Sequence, residues 1–424
     1  MKHIFLNVTV VDNASPYHNK KVNILIHGDQ IISIGDDVFD ETAKAINMED
    51  CMVSPGWVEL HSNFADPGFE DREDIKSGAK AAAAGGFTGV GVVPSTLPVI
   101  QSKGDVDYLL KKGDETAINI YPIGALSKDL KGEELTEMLD MSNAGAVAFY
   151  DDKKAIKNSN LLKTALLYAG NIAPIMVHPR NPELTEGGQM NEGKTSTFLG
   201  LKGIPAFAEE VMIARDLFVA QYTNSTIHFA GISTSGGVNL IREAKEKGIQ
   251  VSADVNFYNL ILEDSALVEY DTNFKTNPPL RTQDDCDALI LGLKDGAIDA
   301  IAIDHVPHDI ENKRCEFDHA SFGMASLETA FASLSGVIKT ISMALFVEKI
   351  SSNPRKILGV PSIRIVEGAI AELTFFNPKT KWKLEKKKAL SKAANNPFLG
   401  QELTGKVMGI FNKGKFVEAP APTL

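Results

Sequence analysis

Four residues that could bind a metal ion or transfer a proton lie where short apolar segments of the chain end. His61 and His178 each close such a segment, and Asp151 and Asp304 each follow one directly. Imidazole and carboxylate groups are common ligands of zinc, and an aspartate can also act as a general base. The question for the rest of the chain is whether its elements bring these four side chains together.

The segment around His61 begins after Pro55-Gly56 and reads as a short strand that runs into a polar loop. Side chains on a strand point alternately to opposite faces. Alternation therefore predicts that one face carries Glu59, His61, Asn63 and Ala65, and that the other face carries Val58, Leu60, Ser62 and Phe64.

Seven further apolar segments follow, and amphipathic helices are predicted between most of them. Apolar strands that alternate with helices are typical of a parallel sheet, and eight such units predict a closed (β/α)8 barrel. The carboxyl ends of the strands then meet at one mouth, where barrel sites are built. The seven segments are Gly89–Pro94, Ala117–Ile123, Ala146–Tyr150, Pro174–His178, Thr226–Ile232, Gln250–Val255 and Ile298–Ile303.

The two ends of the chain carry a different pattern. Residues 1–54 read as short strands and turns without a helix, and strand pattern returns in Ala371–Phe376 and Val407–Phe411, with a turn at residues 412–414. We therefore predict an α/β protein in which residues 55–365 form the barrel. Residues 1–54 and 366–424 together form a small β-sandwich domain.

Composition narrows the possible functions. The 424 residues carry a net charge of -12, which argues against nucleic acid or an anionic membrane as the main partner. No apolar run reaches the roughly 18 residues of a membrane span. The three scattered cysteines and the strand that starts near Met1, without a signal peptide, indicate a reducing cytoplasm. No glycine-rich phosphate loop is present.

The segment around His61 resembles the first barrel strand of the dihydroorotase branch of the amidohydrolase superfamily. That branch has His-x-His-x-Arg-x-Pro-Gly, where this chain has His61-Ser-Asn63-Phe-Ala65-Asp-Pro67-Gly68. The resemblance extends over nearly the whole chain. Its other landmarks are Asn191–Gly193, Ala208–Glu210, Asn277–Arg281, Asp304–His308, Ser326–Thr329 and Asn396–Gly400.

The resemblance implies hydrolysis of a cyclic amide, or its closure, by one or two zinc ions. Zinc lowers the pKa of bound water towards ~7 and polarises the amide carbonyl. By family pattern the metal ligands are His61, Asp151, His178 and Asp304. Asp304 also acts as the catalytic proton shuttle. Asn277 and, from the Asp304–His308 landmark, His308 are implied to bind the substrate.

Four positions depart from the family pattern. Asn63 and Gly231 replace two histidine ligands, Ala65 replaces the arginine that clamps the substrate carboxylate, and Ser95 replaces an asparagine. An amide oxygen is a weak zinc ligand, and glycine offers no ligand. The remaining set is incomplete: it could hold a single metal ion or none, but not a pair. Tyr258 and Asn259 stand where the family often has histidines.

Three functions stay open. The first is a non-catalytic dihydroorotase homologue of pyrimidine biosynthesis, like the inactive chains that assemble with aspartate carbamoyltransferase as a scaffold. The second is a one-metal hydrolase of a ring that lacks a carboxylate, and the third is ordinary dihydroorotase activity with replacement ligands. We expect a homodimer or a larger assembly. The polar loop Pro179–Pro205 could form a lid.

Overall fold

The computed structural model describes residues 1–169 and 172–421. The amino-terminal part contains strands only, because short β-branched runs alternate with turn residues. These strands are β1 (Lys2–Val10), β2 (Lys21–His27), β3 (Gln30–Gly35), β4 (Lys44–Asn47) and β5 (Met52–Pro55).

The central part of the chain alternates strands with helices. Its strands are β6 (Trp57–Ser62), β7 (Phe87–Val92), β8 (Asn119–Gly124), β9 (Ala148–Phe149), β10 (Ile175–Val177), β11 (Met190–Asn191), β12 (Gly203–Ile204), β13 (Ile227–Phe229), β14 (Val251–Asn256) and β15 (Ala300–Ala302). Eight of them form one parallel sheet in the order β15-β14-β13-β10-β9-β8-β7-β6, whereas β11 and β12 pair with each other. This sheet is the predicted barrel.

Helices follow the strands of the barrel and cover its outer side. The helices up to the last barrel strand are α1 (Ile75–Ala84), α2 (Lys103–Asp114), α3 (Met138–Ala144), α4 (Ser159–Ala169), α5 (Lys194–Leu199), α6 (Phe207–Thr223), α7 (Ser235–Glu246), α8 (Phe257–Ile261) and α9 (Gln283–Asp295). Four short helices then lead out of the barrel: α10 (Ala330–Ser333), α11 (Ser335–Ile341), α12 (Met343–Val347) and α13 (Asn353–Leu358). No helix in the described ranges is long and apolar enough to cross a membrane.

The chain ends build a second sheet together. Strands β16 (Leu373–Lys383), β17 (Glu402–Asn412) and β18 (Lys415–Glu418) join β1 to β5 through the antiparallel pair β16–β5. All eight strands belong to one hydrogen-bonded sheet, where the sequence predicted a sandwich. Its core includes Phe5 stacked on Phe375, with ring centroids 4.3 Å apart, and Phe411 edge-on to Phe5.

The first barrel strand departs from strict alternation. Its pairing with β7 shifts register between Glu59 and Ser62, which is the mark of a β-bulge. Leu60 packs with the buried apolar cluster that includes Ala300 and Ala302, and the next residue, His61, also reaches across the barrel to the strands opposite. Leu60 and His61 therefore both face the barrel interior, and the prediction that they lie on opposite faces is wrong, because the bulge interrupts the period of two.

The loop from residue 179 to 205 is packed rather than open. It contains β11, α5 and β12, and its residues Met190 and Leu199 form an apolar cluster with Leu267 and Phe317. A covering segment of this kind gains stability from the apolar area that it buries.

A buried ion pair joins the barrel to the sheet of the chain ends. Arg355 in α13 donates to the carboxylate of Glu372, and its Nη2 also donates to the carbonyl of Gly56 at 3.0 Å. Thr88 Oγ1 donates to the same carboxylate at 2.6 Å. Both partners are buried, so the two charges depend on each other.

We predict that Glu372→Ala lowers the free energy of unfolding by about 3–5 kcal/mol, because it leaves the Arg355 guanidinium buried without a counter-charge. Urea denaturation followed by circular dichroism measures the change. Glu402→Ala is the matched control, since Glu402 pairs with Lys381 at the exposed surface and is expected to leave stability unchanged. Equal losses in the two variants would contradict the assignment.

Candidate active site

The carboxyl ends of the barrel strands bring most of the predicted site residues to one mouth. His61 lies on β6 and Asp304 follows β15, while Asp254 and His228 project from β14 and β13. All four side chains are buried. They lie together because parallel strands of a barrel end at the same rim.

His61 lies between two carboxylates. Its Nε2 is 3.1 Å from Asp254 Oδ2, and its Nδ1 is 3.5 Å from Asp304 Oδ1. His228 Nε2 approaches the same oxygen of Asp254 at 2.9 Å, and the backbone N–H of Gly231 donates to the other oxygen at 2.9 Å. Asp254 is therefore the acceptor that orients both histidine rings.

The side chain of Asp304 accepts hydrogen bonds from three donors. The Lys153 ammonium donates to Oδ1 at 2.7 Å, the Tyr258 hydroxyl donates to Oδ2 at 2.6 Å, and Asn256 Nδ2 donates to Oδ2 at 3.2 Å. Lys153 lies in the loop after β9, two residues beyond Asp151, so it reaches across the mouth. Asp304 adopts a left-handed backbone conformation, with φ of 52°, directly after its strand.

The charges of this cluster compensate one another. Burial opposes protonation of His61, but Asp254 and Asp304 raise its pKa well above the ordinary value. Burial likewise opposes ionisation of the two carboxyls, yet Lys153 and His61 hold the pKa of Asp304 well below its usual range, and His61 and His228 do the same for Asp254. The mouth thus places His61 and the Lys153 side chain against the carboxyl groups of Asp254 and Asp304.

The substituted positions form a hydrogen-bond chain of their own. Asn63 Nδ2 donates to Ser95 Oγ at 3.0 Å, and Ser95 Oγ donates to Asp152 Oδ2 at 2.5 Å. The Asn63 carbonyl oxygen accepts the backbone N–H of Ala65 at 2.7 Å. Burial raises the pKa of Asp152, and charges at Lys153 and His61 lower it.

Asp151 does not contribute its carboxylate to the cluster. One oxygen accepts the backbone N–H groups of Leu126 and Ser127, each at 2.9 Å, and the other accepts the Ser127 hydroxyl. Burial raises the pKa of Asp151 to about 6. The neighbouring Asp152 is the carboxylate of this loop whose pKa is affected by the charges of His61 and Asp304.

His178, Asn277 and His308 are divided between two places. His178 Nε2 is 3.3 Å from Asn277 Oδ1, and its Nδ1 is buried without a hydrogen-bond partner in the described chain. Burial, with Lys153 and Arg180, lowers the pKa of His178 to about 3, so its ring is neutral. His308 instead has its Nε2 2.9 Å from the carbonyl of Phe322 and is not joined to this pair.

Gly231 leaves little room for a replacement ligand. Its φ is 72°, and a Cβ built there would lie 3.1 Å from Asn256 Nδ2 and 3.3 Å from Pro278 Cδ. These approaches are closer than ordinary van der Waals contact, so a larger side chain would have to displace the amide that bonds Asp304. A histidine at this position conflicts with the present network.

The residues present do not fit a zinc ion. Zinc takes about four donors with free lone pairs, but both oxygens of Asp304 accept from protein donors, and Asn63 and Gly231 supply no imidazole. Both predicted nitrogen ligands, His61 and His178, keep a buried Nδ1 without a hydrogen-bond partner in the described chain, but two imidazoles fall short of the usual set of donors. Among residues 1–169 and 172–421, no three His, Cys, Asp or Glu side chains are grouped to hold a metal.

Several residues of this mouth are outside the sequence prediction. Asp254 and Lys153 are the counter-charges of the cluster, and Asp152 takes part where Asp151 was expected. Glu59 accepts the backbone N–H groups of Ile303 and Asp304 at 2.7 and 2.9 Å, which links the first and last strands of the barrel. The sequence feature that could have indicated a protein cation at this mouth is Lys153, a basic residue directly after a pair of aspartates.

Comparisons with known proteins agree on a family. The dihydro-orotase-like family model matches residues 51–236. A protein named Dihydroorotase from Pelotomaculum thermopropionicum is 42% identical over 412 residues, which cover 96% of each chain. One of the same name from Syntrophus aciditrophicus is 38% identical over 423 residues, covering 98% of this chain and 99% of the other.

Solved structures share the fold at low identity. The dihydropyrimidinase from Brevibacillus agri has a TM-score of 0.84 and 22% identity, over 98% of this chain and 95% of the other. The L-hydantoinase (dihydropyrimidinase) from Arthrobacter aurescens has a TM-score of 0.85 and 22% identity, over 100% and 98%. At this identity the likeness concerns the architecture alone, a (β/α)8 barrel with an added sheet.

We predict that Lys153→Met destabilises the chain by about 3 kcal/mol, since it leaves the buried Asp304 without its ammonium partner. Thermal and urea unfolding measure the loss. Lys154→Met is the matched control, because the neighbouring Lys154 is exposed and lies outside the cluster. If the two variants are equally stable, the Lys153 ion pair does not support the mouth.

Proposed function

Because this chain belongs to the dihydroorotase family, we propose that it keeps the architecture of a cyclic amidohydrolase without hydrolysing dihydroorotate. It serves pyrimidine biosynthesis as a structural partner of aspartate carbamoyltransferase. The first half of this proposal concerns the barrel mouth, and the second concerns the outer surface.

The observation that carries the first half is the set of protein donors, led by the Lys153 ammonium, that occupies Asp304 at the mouth. A metal-dependent hydrolase needs a Lewis acid beside its general base. Here the Lys153 ammonium and the Tyr258 hydroxyl already donate to the two oxygens of Asp304. A base whose carboxylate accepts hydrogen bonds from Lys153, Tyr258 and Asn256 is poorly placed to take a proton from water.

The positions that would bind the substrate also support the proposal that the chain does not hydrolyse dihydroorotate. A bidentate contact from arginine is among the stronger ways to hold a carboxylate, and Ala65 offers only a methyl group. Ser95 is committed to Asn63 and Asp152. The groups that would grip an acidic ring are therefore absent or engaged in the protein's own hydrogen bonds.

An active amidohydrolase is the second candidate, and the 42% identity with a protein named Dihydroorotase favours it. In this alternative His178 and rearranged His61 and Asp304 would hold a single zinc ion. The ring would lack a carboxylate, because Ala65 provides no guanidinium to hold one. Binding would have to displace Lys153 and deprotonate His61.

The second half of the proposal is supported by an apolar stripe on α6. Phe207, Val211, Phe218 and Tyr222 are spaced by four, seven and four residues, which places them on one face of the helix. Their exposed fractions are 48%, 49%, 73% and 79%. Contiguous exposed apolar surface of this kind marks a protein–protein interface.

We predict that the purified chain, reconstituted with excess zinc and dialysed, retains far less than one zinc ion per chain and does not turn over dihydroorotate. Plasma emission spectrometry and an absorbance assay measure the two quantities. The Pelotomaculum relative, treated identically, is the positive control. Stoichiometric zinc with turnover that disappears in Asp304→Asn would favour the active alternative.

The repair variant Asn63→His/Gly231→His extends this experiment. We expect it to remain free of zinc, because Asn256 and Pro278 crowd position 231 and Lys153 still occupies Asp304. Adding Lys153→Gly removes the competing cation. Zinc uptake by the double variant alone would show that the cations do not control the site.

We predict that Phe218→Glu/Tyr222→Glu abolishes co-elution with aspartate carbamoyltransferase from the same genome in size-exclusion chromatography. Two carboxylates in place of aromatic rings make burial of the stripe unfavourable. Leu291→Glu on α9 is the matched control, because Leu291 is 55% exposed and lies on another helix. An unchanged complex would exclude the stripe as the contact, and loss of a homodimer would reassign it.

A further inference from the structure

A basic cavity lies beside the barrel mouth. Its volume is about 380 Å³, and it is lined by the loops that follow β8, β9 and β10. Five cationic side chains line it: Lys131, Lys153, Lys154, Lys157 and Arg180. In a chain with a net charge of -12 this concentration of positive charge is local.

Two of these cations have carboxylate partners, and two do not. Lys153 pairs with Asp304 and Lys131 with Asp129. Within the described parts of the chain, Lys154 and Lys157 form no ion pair shorter than 4.0 Å. Their ammonium groups are therefore available to an external anion.

Arg180 is held in place at the inner wall. Its Nε donates to Thr185 Oγ1 at 2.9 Å, its Nη2 donates to the Thr185 carbonyl at 3.4 Å, and its guanidinium lies 5.9 Å from the ring centroid of Phe322. Its Nη1 makes no hydrogen bond that competes with a ligand in the described chain. A fixed donor of this kind lowers the entropic cost of binding.

The cavity also contains two carboxylates, with different consequences. Both oxygens of Asp151 accept hydrogen bonds from Leu126 and Ser127, so its charge is offset by protein donors. Glu186 is exposed at the rim and opposes an anion there. The five cations face four carboxylates, namely the two that line the cavity and the partners Asp304 and Asp129, so one net positive charge remains. This charge lies towards Lys154, Lys157 and Arg180.

We propose that this cavity binds the phosphate group of a small phosphorylated molecule. Lys154, Lys157 and Arg180 together offer three cations to a phosphate, which carries up to two negative charges and three terminal oxygens, whereas a carboxylate carries one charge and two oxygens. The volume admits a compact organic group besides the phosphate. This site needs no ring hydrolysis, so it is independent of the function proposed above.

The test is isothermal titration calorimetry on the full chain with inorganic phosphate, phenyl phosphate and benzoate. Phenyl phosphate and benzoate share the ring and differ in the anion. We expect both phosphates to bind, benzoate to bind at least about tenfold more weakly, and affinity to fall with added salt. Equal affinity for benzoate, or no binding of either phosphate, overturns the proposal.

Variants locate the binding. Lys154→Gln/Lys157→Gln is expected to weaken phenyl phosphate binding about tenfold or more, and Glu186→Gln is expected to strengthen it. Lys111→Gln/Lys112→Gln, two exposed lysines on α2, is the matched control and leaves affinity unchanged. The proposal fails if the control loses as much as the cavity variant, or if Glu186→Gln has no effect.

Discussion

The barrel mouth depends on charge balance among buried groups. Asp254 and Asp304 are buried carboxylates that would be costly in a low-dielectric interior without cations nearby. His61 and Lys153 supply those cations from the protein itself. Tyr258, Asn256 and His228 donate to or contact the same two carboxylates, so moving one charge would leave another uncompensated.

The residues that depart from the family motif form hydrogen bonds, or leave space for hydrogen bonds, within this barrel mouth. Asn63 and Ser95 bond each other and Asp152, so two positions that carry other residues in the family satisfy one another here. Gly231 leaves the space that Asn256 uses to reach Asp304. A single reversal would therefore disturb hydrogen bonds that these residues share, which is how non-additive effects arise among contacting residues.

The landmarks that the chain retains hold the loops together. Arg281 is buried, and it donates to Asn191 at 2.9 Å, to the carbonyl of Ile204 at 2.7 Å and to Ser233 at 3.1 Å. Glu209 accepts the backbone N–H of Ser233 at 3.0 Å. A buried network of this kind must stay fully bonded to be stable, so its residues are needed for folding whether or not a reaction takes place.

The sequence by itself determined the barrel and the shared sheet of the chain ends, because alternating strands and helices follow from local periodicity. It also identified His61, His178 and Asp304 at strand ends. Only the tertiary structure decided that Asp254 compensates His61 and that Lys153 compensates Asp304, since these partners lie 193 and 151 residues apart in the chain. It also decided that a bulge turns His61 inward and that Asp151 faces Ser127, because backbone register and side-chain direction depend on neighbouring strands and loops.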